Sequence, residues 1–196
     1  MTAPLPPADL DSRTPALVSV DVGETLHRFY AGAFEPIYFD RSTLGRFNAP
    51  DGRYGVLYCA AQAAGALAET FLRTPGRRLI DPALVATKGY CQLRATAPLK
   101  LIAMMGPGLA IIGATAAIAH SGLPYDVPQI WSAALEGHPI DADGIAYRSR
   151  HDDDQICYAL FDRARLRIDE VHRTTDLDTD WFWDLAETYQ MGRPPV

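Results

Sequence analysis

Apolar residues along the 196-residue chain recur at two periods, and the changes between them mark out the elements. Residues 16–22 and 25–30 read as strand material that delivers Arg28 near its end. The stretch 31–44 keeps no period, carries Phe34, Tyr38 and Phe39, and reads as a long loop, a kind of connection that is often functional. Pro50-Asp51-Gly52 supplies turn chemistry: proline presets φ, aspartate bonds its own backbone, and glycine accepts positive φ. Gly55 to Ala60 is a short apolar run containing Val56 and Tyr58, too brief for a helix and read as a strand. From Ala61 the period becomes helical. Ala64, Leu67, Ala68, Phe71 and Leu72 fall on one face, and Thr74-Pro75-Gly76 stops the helix after Arg73.

Beyond this helix, 84–97 reads as a strand with Lys88, Tyr90, Gln92 and Arg94 on one side, and 99–105 as a more buried strand. Gly106-Pro107-Gly108 turns into a helix over 109–120, and a second helix over 127–135 ends at Gly137 with Trp131 as its packing anchor. On the strand 145–150, Ile145, Tyr147 and Ser149 share one face. His151-Asp152-Asp153-Asp154 reads as a hairpin turn before a strand over 155–162. Residues 163–180 read as charged connection, and 180–191 as an amphipathic closing helix docked through Trp181, Leu185 and Tyr189. Residues 1–15 are Pro-rich and predict a loose arm. The strand count and mixed order put the remainder, 16–196, in one α+β domain.

Charge and composition narrow the function classes. A net charge of −6 argues against a nucleic-acid surface, which needs a concentrated basic patch. The acids gather late, in 152–154 and 169–184, while Arg41, Arg46, Arg53 and Arg73 fall near the central helix. A positive pocket in an acidic protein suits an anionic small molecule. Three cysteines, Cys59, Cys91 and Cys157, have no paired spacing and read as buried free thiols, which favours a reducing, cytoplasmic location. The start of the chain has no basic region or apolar stretch of the signal-peptide kind. The longest apolar stretch, 99–119, is interrupted by Lys100, Gly106, Pro107, Gly108 and Gly113, so no membrane span is expected.

Candidate chemistry centres on Glu69, the one acid on a helix of small apolar residues, on a stripe with Gln62, Gly65 and Arg73. Spacing alone supports a solvated carboxylate paired with Arg73 at i+4, worth about 0.3 kcal/mol. Gly106, Gly108 and Gly113 with Asp126 miss the dinucleotide-binding spacing, and Pro107 and Pro124 interrupt the elements that motif requires. His151 and the three aspartates after it lack the second ligand set a metal needs.

The run Gly45-Arg46-Phe47-Asn48, a turn, Gly55-Val56-Leu57-Tyr58-Cys59-Ala60, and an acid eleven residues after the tyrosine resembles the core motif of the RES family. That family is named for its Arg, Glu and Ser. The resemblance extends from Leu26-His27-Arg28 to Tyr147-Arg148-Ser149. It implies a fold similar to ADP-ribosyltransferases, with split, mostly antiparallel sheets forming a cleft and helices packed outside. It also implies an NAD-degrading toxin of a toxin–antitoxin pair, cleaving the nicotinamide–ribose bond with inorganic phosphate as likely acceptor and no metal. On this resemblance Glu69 stabilises the ribosyl cation, Arg28 and Arg46 hold phosphates, and Tyr58 meets the nicotinamide ribose. Asn48 and Ser149 are further cofactor contacts. An antitoxin covering the cleft is the implied partner, and a homodimer is left open. Two alternatives share the site: ADP-ribosyl transfer to a protein, and a nucleotide-binding module without turnover.

Overall fold

In the computed structural model, which describes residues 3–195, the first two stretches expected as strands form β1 (Leu17–Val20) and β2 (Thr25–Ala31). The loop 32–55 leads to β3 (Val56–Ala60) and helix α1 (Ala63–Phe71). Next come α2 (Pro82–Ala86), β4 (Lys88–Ala95), β5 (Leu99–Met104), α3 (Pro107–Ile112), α4 (Ala116–His120) and α5 (Asp126–Glu136). The chain closes with β6 (Gly144–Arg148), β7 (Ile156–Phe161), β8 (Ile168–Thr174) and α6 (Asp180–Glu187). Met1, Thr2 and Val196, the ends of the expected arm and domain, lie outside the described residues.

These strands form one mixed sheet in the order β1-β5-β6-β7-β3-β2-β4-β8, with β5 and β6 parallel. The sequence reading expects divided sheets; the sheet is continuous, but nearly interrupted at its middle. β2 pairs with β4 along its full length, from Thr25 opposite Arg94 to Ala31 opposite Lys88, yet meets β3 only at His27 opposite Ala60. Past that pair the two strands part, and residues from both line a cleft.

The sheet has two buried faces. On one, Val56, Ile102, Ile145, Tyr147 and Phe161 pack under α1, α5 and α6, with Trp131, Leu67 and Phe182 as the large contributions from the helices. On the other, Leu26, Leu57, Leu93, Leu101, Ala146 and Leu160 come from six different strands and pack with one another. The sheet curls and covers this face itself, which is why β3 and β7 are apolar on both sides rather than alternating.

Several elements depart from their sequence-based expectations for identifiable reasons. Residues 3–13, expected as a loose arm, are tied to the body: Trp131 Nε1 donates to the Pro4 carbonyl at 2.7 Å, Leu10 is buried, and Arg13 donates to the Ile111 carbonyl. The expected strand over 84–97 begins as α2, because Asp81 caps it by accepting from Ala83 N and Pro82 occupies its first position. The expected helix over 109–120 is two helices, broken where Gly113 takes φ 80°. The connection 163–180 holds β8, an edge strand whose polar residues gave no alternation. The closing helix buries Phe182 and Ala186; Trp181 stays 43% exposed and meets Tyr90 at a tilt of 49°. Among the described residues no helix is long and apolar enough to cross a membrane.

Candidate functional site

The cleft at the parting of β2 and β3 encloses about 800 Å3. Its walls are those two strands, the α1 face carrying Glu69, the loop 34–46, and residues 150–151 after β6. Five cationic side chains, Arg28, Arg46, Arg73, Lys88 and Arg150, line it against two carboxylates, Asp40 and Glu69. A concave site with that balance attracts anions even in a protein of net charge −6.

Each turn of the Gly45-to-Asn48 run has a separate task. A Cβ on Gly45 would lie 2.2 Å from Asn48 Oδ1 and 2.7 Å from the Tyr58 hydroxyl, so only glycine permits this close approach. Phe47 is fully buried and packs edge-on against Tyr147. Asn48, also fully buried, accepts from the Tyr58 hydroxyl at 2.9 Å and donates to Asp40 Oδ2 and the Ser42 carbonyl. The Tyr58 hydroxyl in turn accepts from Phe47 N at 2.7 Å. From the other side α5 holds the loop: Gln129 Nε2 donates to the Thr43 and Gly45 carbonyls, and Ser132 Oγ to the Phe47 carbonyl. Arg46, the remaining member, is only 8% exposed and is aimed into the cleft by this frame.

Glu69 does not make the expected i+4 ion pair. Arg73 Nε donates to the Glu69 backbone carbonyl, and the carboxylate turns inward. Its Oε1 accepts from Ser149 Oγ at 2.7 Å, and its Oε2 lies 3.9 Å from Arg46 Nη1. Ser149 is fully buried, and its oxygen also accepts from His151 N. A backbone amide, a serine and a carboxylate thus form one chain whose end reaches the cleft. The ion pair with Arg46 keeps the carboxylate paired at its second oxygen.

Arg28 projects from β2 across the opening and donates through Nη1 to the Tyr58 carbonyl at 2.7 Å, replacing part of the strand ladder lost there. Burial presses its guanidinium toward a lower pKa. The Nε atoms of Arg28 and Arg46 are both buried without a hydrogen-bond partner. Both side chains also line the cleft, and planar guanidinium groups match phosphate oxygens.

The six residues singled out in the sequence converge on the cleft and the side chains directly behind it. Arg28, Arg46, Tyr58 and Glu69 line the cleft; Asn48 and Ser149 lie behind it and fix Tyr58 and Glu69. The Tyr58 hydroxyl is occupied by Phe47 and Asn48, and burial holds its pKa well above the ordinary value, while the side chain lines the cleft. Of the four arginines placed near the site, Arg41 pairs instead with Asp162 and Arg53 with Glu136. His151, which the sequence offers as part of a hairpin turn and as a weak metal ligand, lines the cleft, and burial lowers its pKa below 6.5. Its position two residues after Ser149 was the available signal. The Cys59 thiol, pushed up to about 12 by burial, and Cys157, also raised, stay protonated beside the cleft. Among the described residues no three His, Cys, Asp or Glu side chains are placed to hold a metal ion.

A search of curated protein sequences finds no match. Among solved structures, a chain from the crystal structure of the M. tuberculosis MbcT–MbcA toxin–antitoxin complex superposes with a TM-score of 0.60. It is 11% identical, and the match covers 80% of this chain and 85% of that one, a likeness of fold. The family model of the RES domain matches residues 22–183, a span that holds both strands of the cleft, the Arg46 loop, Glu69 and Ser149. The chain belongs to the RES domain family.

Proposed function

We propose that this protein cleaves NAD at the nicotinamide–ribose bond, with inorganic phosphate as acceptor, and acts as the toxin of a toxin–antitoxin pair. The observation that carries the reading is the pairing, in one cleft, of an oriented carboxylate with the guanidinium groups of Arg28 and Arg46. A dinucleotide presents the complementary chemistry: a diphosphate for the arginines and a ribose that becomes cationic for the carboxylate.

Nicotinamide is already a cation in NAD, so the C–N bond breaks with its electron pair returning to the ring nitrogen, and no acid catalyst is needed. The charge moves to the ribose, which develops oxocarbenium character. Glu69 supplies fixed negative charge at that point, and a preorganised electrostatic partner of this kind is the largest single contribution a site makes. Ser149 and the His151 amide hold the carboxylate in place, so no reorganisation accompanies the step. Arg28 and Arg46 receive the diphosphate, and the cationic lining draws phosphate dianion to the open face of the ribose. A phosphate oxygen then bonds to the ribose carbon, giving ADP-ribose 1″-phosphate and neutral nicotinamide with no proton left over.

The toxin assignment rests on family membership and on the fold shared with a chain of a toxin–antitoxin complex. The implied partner is a protein that covers the cleft. The test is product analysis by phosphorus NMR after incubating the purified chain with NAD and phosphate. ADP-ribose 1″-phosphate is the expected product. Free ADP-ribose in the presence of phosphate makes water the acceptor, ADP-ribose on protein makes it a transferase, and intact NAD refutes the reading.

A further inference from the structure

The cleft holds a feature that neither Glu69 nor the arginines use. Phe34 and Tyr38, on the loop between β2 and β3, stack with ring centroids 4.7 Å apart and planes 13° from parallel. Both line the cleft, yet they are 53% and 40% exposed. An aromatic pair that served only to stabilise the loop would bury its faces; this one keeps an open π-surface at the cleft wall.

The pair is also held in place from several sides. Phe34 N donates to the Ala31 carbonyl, and Gly32 N donates to the Thr87 carbonyl, which fix the start of the segment. Glu35, between the two rings, pairs with Arg173 at 2.7 Å. Asp40, just after them, exchanges both backbone hydrogen bonds with Val56. A surface ordered in advance loses less on binding than a mobile one.

We infer that the Phe34–Tyr38 stack is the base platform of the cleft and takes the adenine ring of NAD, the end of the dinucleotide remote from Glu69. The inference rests on the NAD reading above. The order of groups supports this end: the chain runs from Arg28 along β2 to Ala31 and then to Phe34, and Lys88 stands opposite Ala31 while lining the cleft. With the nicotinamide ribose at Glu69 and the diphosphate at the cationic side chains, the second base reaches the aromatic pair. Adenine carries no charge, and stacking recognises its flat face without a hydrogen-bond pattern.

The test uses the full chain with Phe34→Ala, Phe34→Leu and Phe34→Trp. ADP-ribose binding is followed by calorimetry, and KM is measured for NAD and for nicotinamide mononucleotide, which lacks the adenylate. Loss of one base–aromatic stack is worth roughly tenfold in affinity or more. Phe34→Ala and Phe34→Leu are expected to weaken ADP-ribose binding and raise the NAD KM by about that factor, Phe34→Trp to restore both, and the mononucleotide KM to stay unchanged. Equal binding by all variants, restoration by leucine, an equal rise for the mononucleotide, or no binding of ADP-ribose overturns the inference. NAD turnover with no dependence on Phe34 refutes the platform alone; Phe34-dependent binding of ADP-ribose without NAD turnover refutes the catalytic reading alone.

Discussion

Replacing Tyr58 by phenylalanine separates two accounts of the cleft's central tyrosine. The change removes one oxygen and leaves the ring in the wall. In the native protein that oxygen accepts from Phe47 N at 2.7 Å and donates to Asn48 Oδ1 at 2.9 Å, and both partners belong to fully buried residues. The variant leaves one donor and one acceptor unmatched. Each costs about 1–3 kcal/mol, so a combined loss of roughly 2–6 kcal/mol is expected. For a protein of this size about 2–4 °C of Tm is lost per kcal/mol, which puts the fall at roughly 4–24 °C. Because the freed residues flank Arg46, the NAD KM is expected to rise along with the loss of stability. Thermal denaturation by circular dichroism and steady-state kinetics measure both. An unchanged Tm with abolished turnover would refute the reasoning, since it would make the hydroxyl a chemical participant rather than a brace.

Other expectations follow from the same contacts. Ser149→Ala removes the hydrogen bond that orients Glu69 Oε1, a charge-assisted contact worth about 1.5–3 kcal/mol. Turnover is expected to fall about 10- to 100-fold, read as initial rates of NAD loss, with unchanged rates contradicting the orienting role. Stability is expected to drop on acidification. Burial holds His27 and His151 below 6.5, so the unfolded chain takes up their protons first and stability falls as pH decreases from 6.5 toward the folded-state values. Urea midpoints at pH 7.5 and 5.5 check this, and a midpoint that is equal or higher at pH 5.5 contradicts it.

The central motif was legible because each of its parts is local. A polar turn, a five-residue strand and an Ala-rich helix follow one another without interruption, and their periods change where the elements change. The convergence of Arg28, Arg46, Tyr58, Glu69 and Ser149 came from family resemblance, because spacing carries no information on pairings such as Ser149 with Glu69, eighty residues apart. Spacing favoured Arg73 as the partner of Glu69. The helix could not declare that this side chain turns inward toward a buried serine. Edge strand β8 escaped notice because Asp169 to Arg173 all face solvent, so no apolar alternation exists to read. The closing helix starts where expected but ends at Glu187; Leu185 and Tyr189 pack against the core, while Phe182 rather than Trp181 is the buried aromatic, a choice that only packing makes. Lys88 enters the cleft from β4, and Arg150 and His151 from the connection after β6, and no linear pattern joins the two.

The most direct measurement is nicotinamide release from NAD by the purified chain beside a Glu69→Gln variant, with ADP-ribose binding recorded for both. The substitution keeps the shape of the side chain and removes the charge that faces the ribosyl cation. The account predicts release by the native chain and a fall of about 100- to 1000-fold in the variant, the scale of one preorganised electrostatic contact, with ADP-ribose still bound by both. Equal release by the two proteins, or none from the native chain, would contradict it.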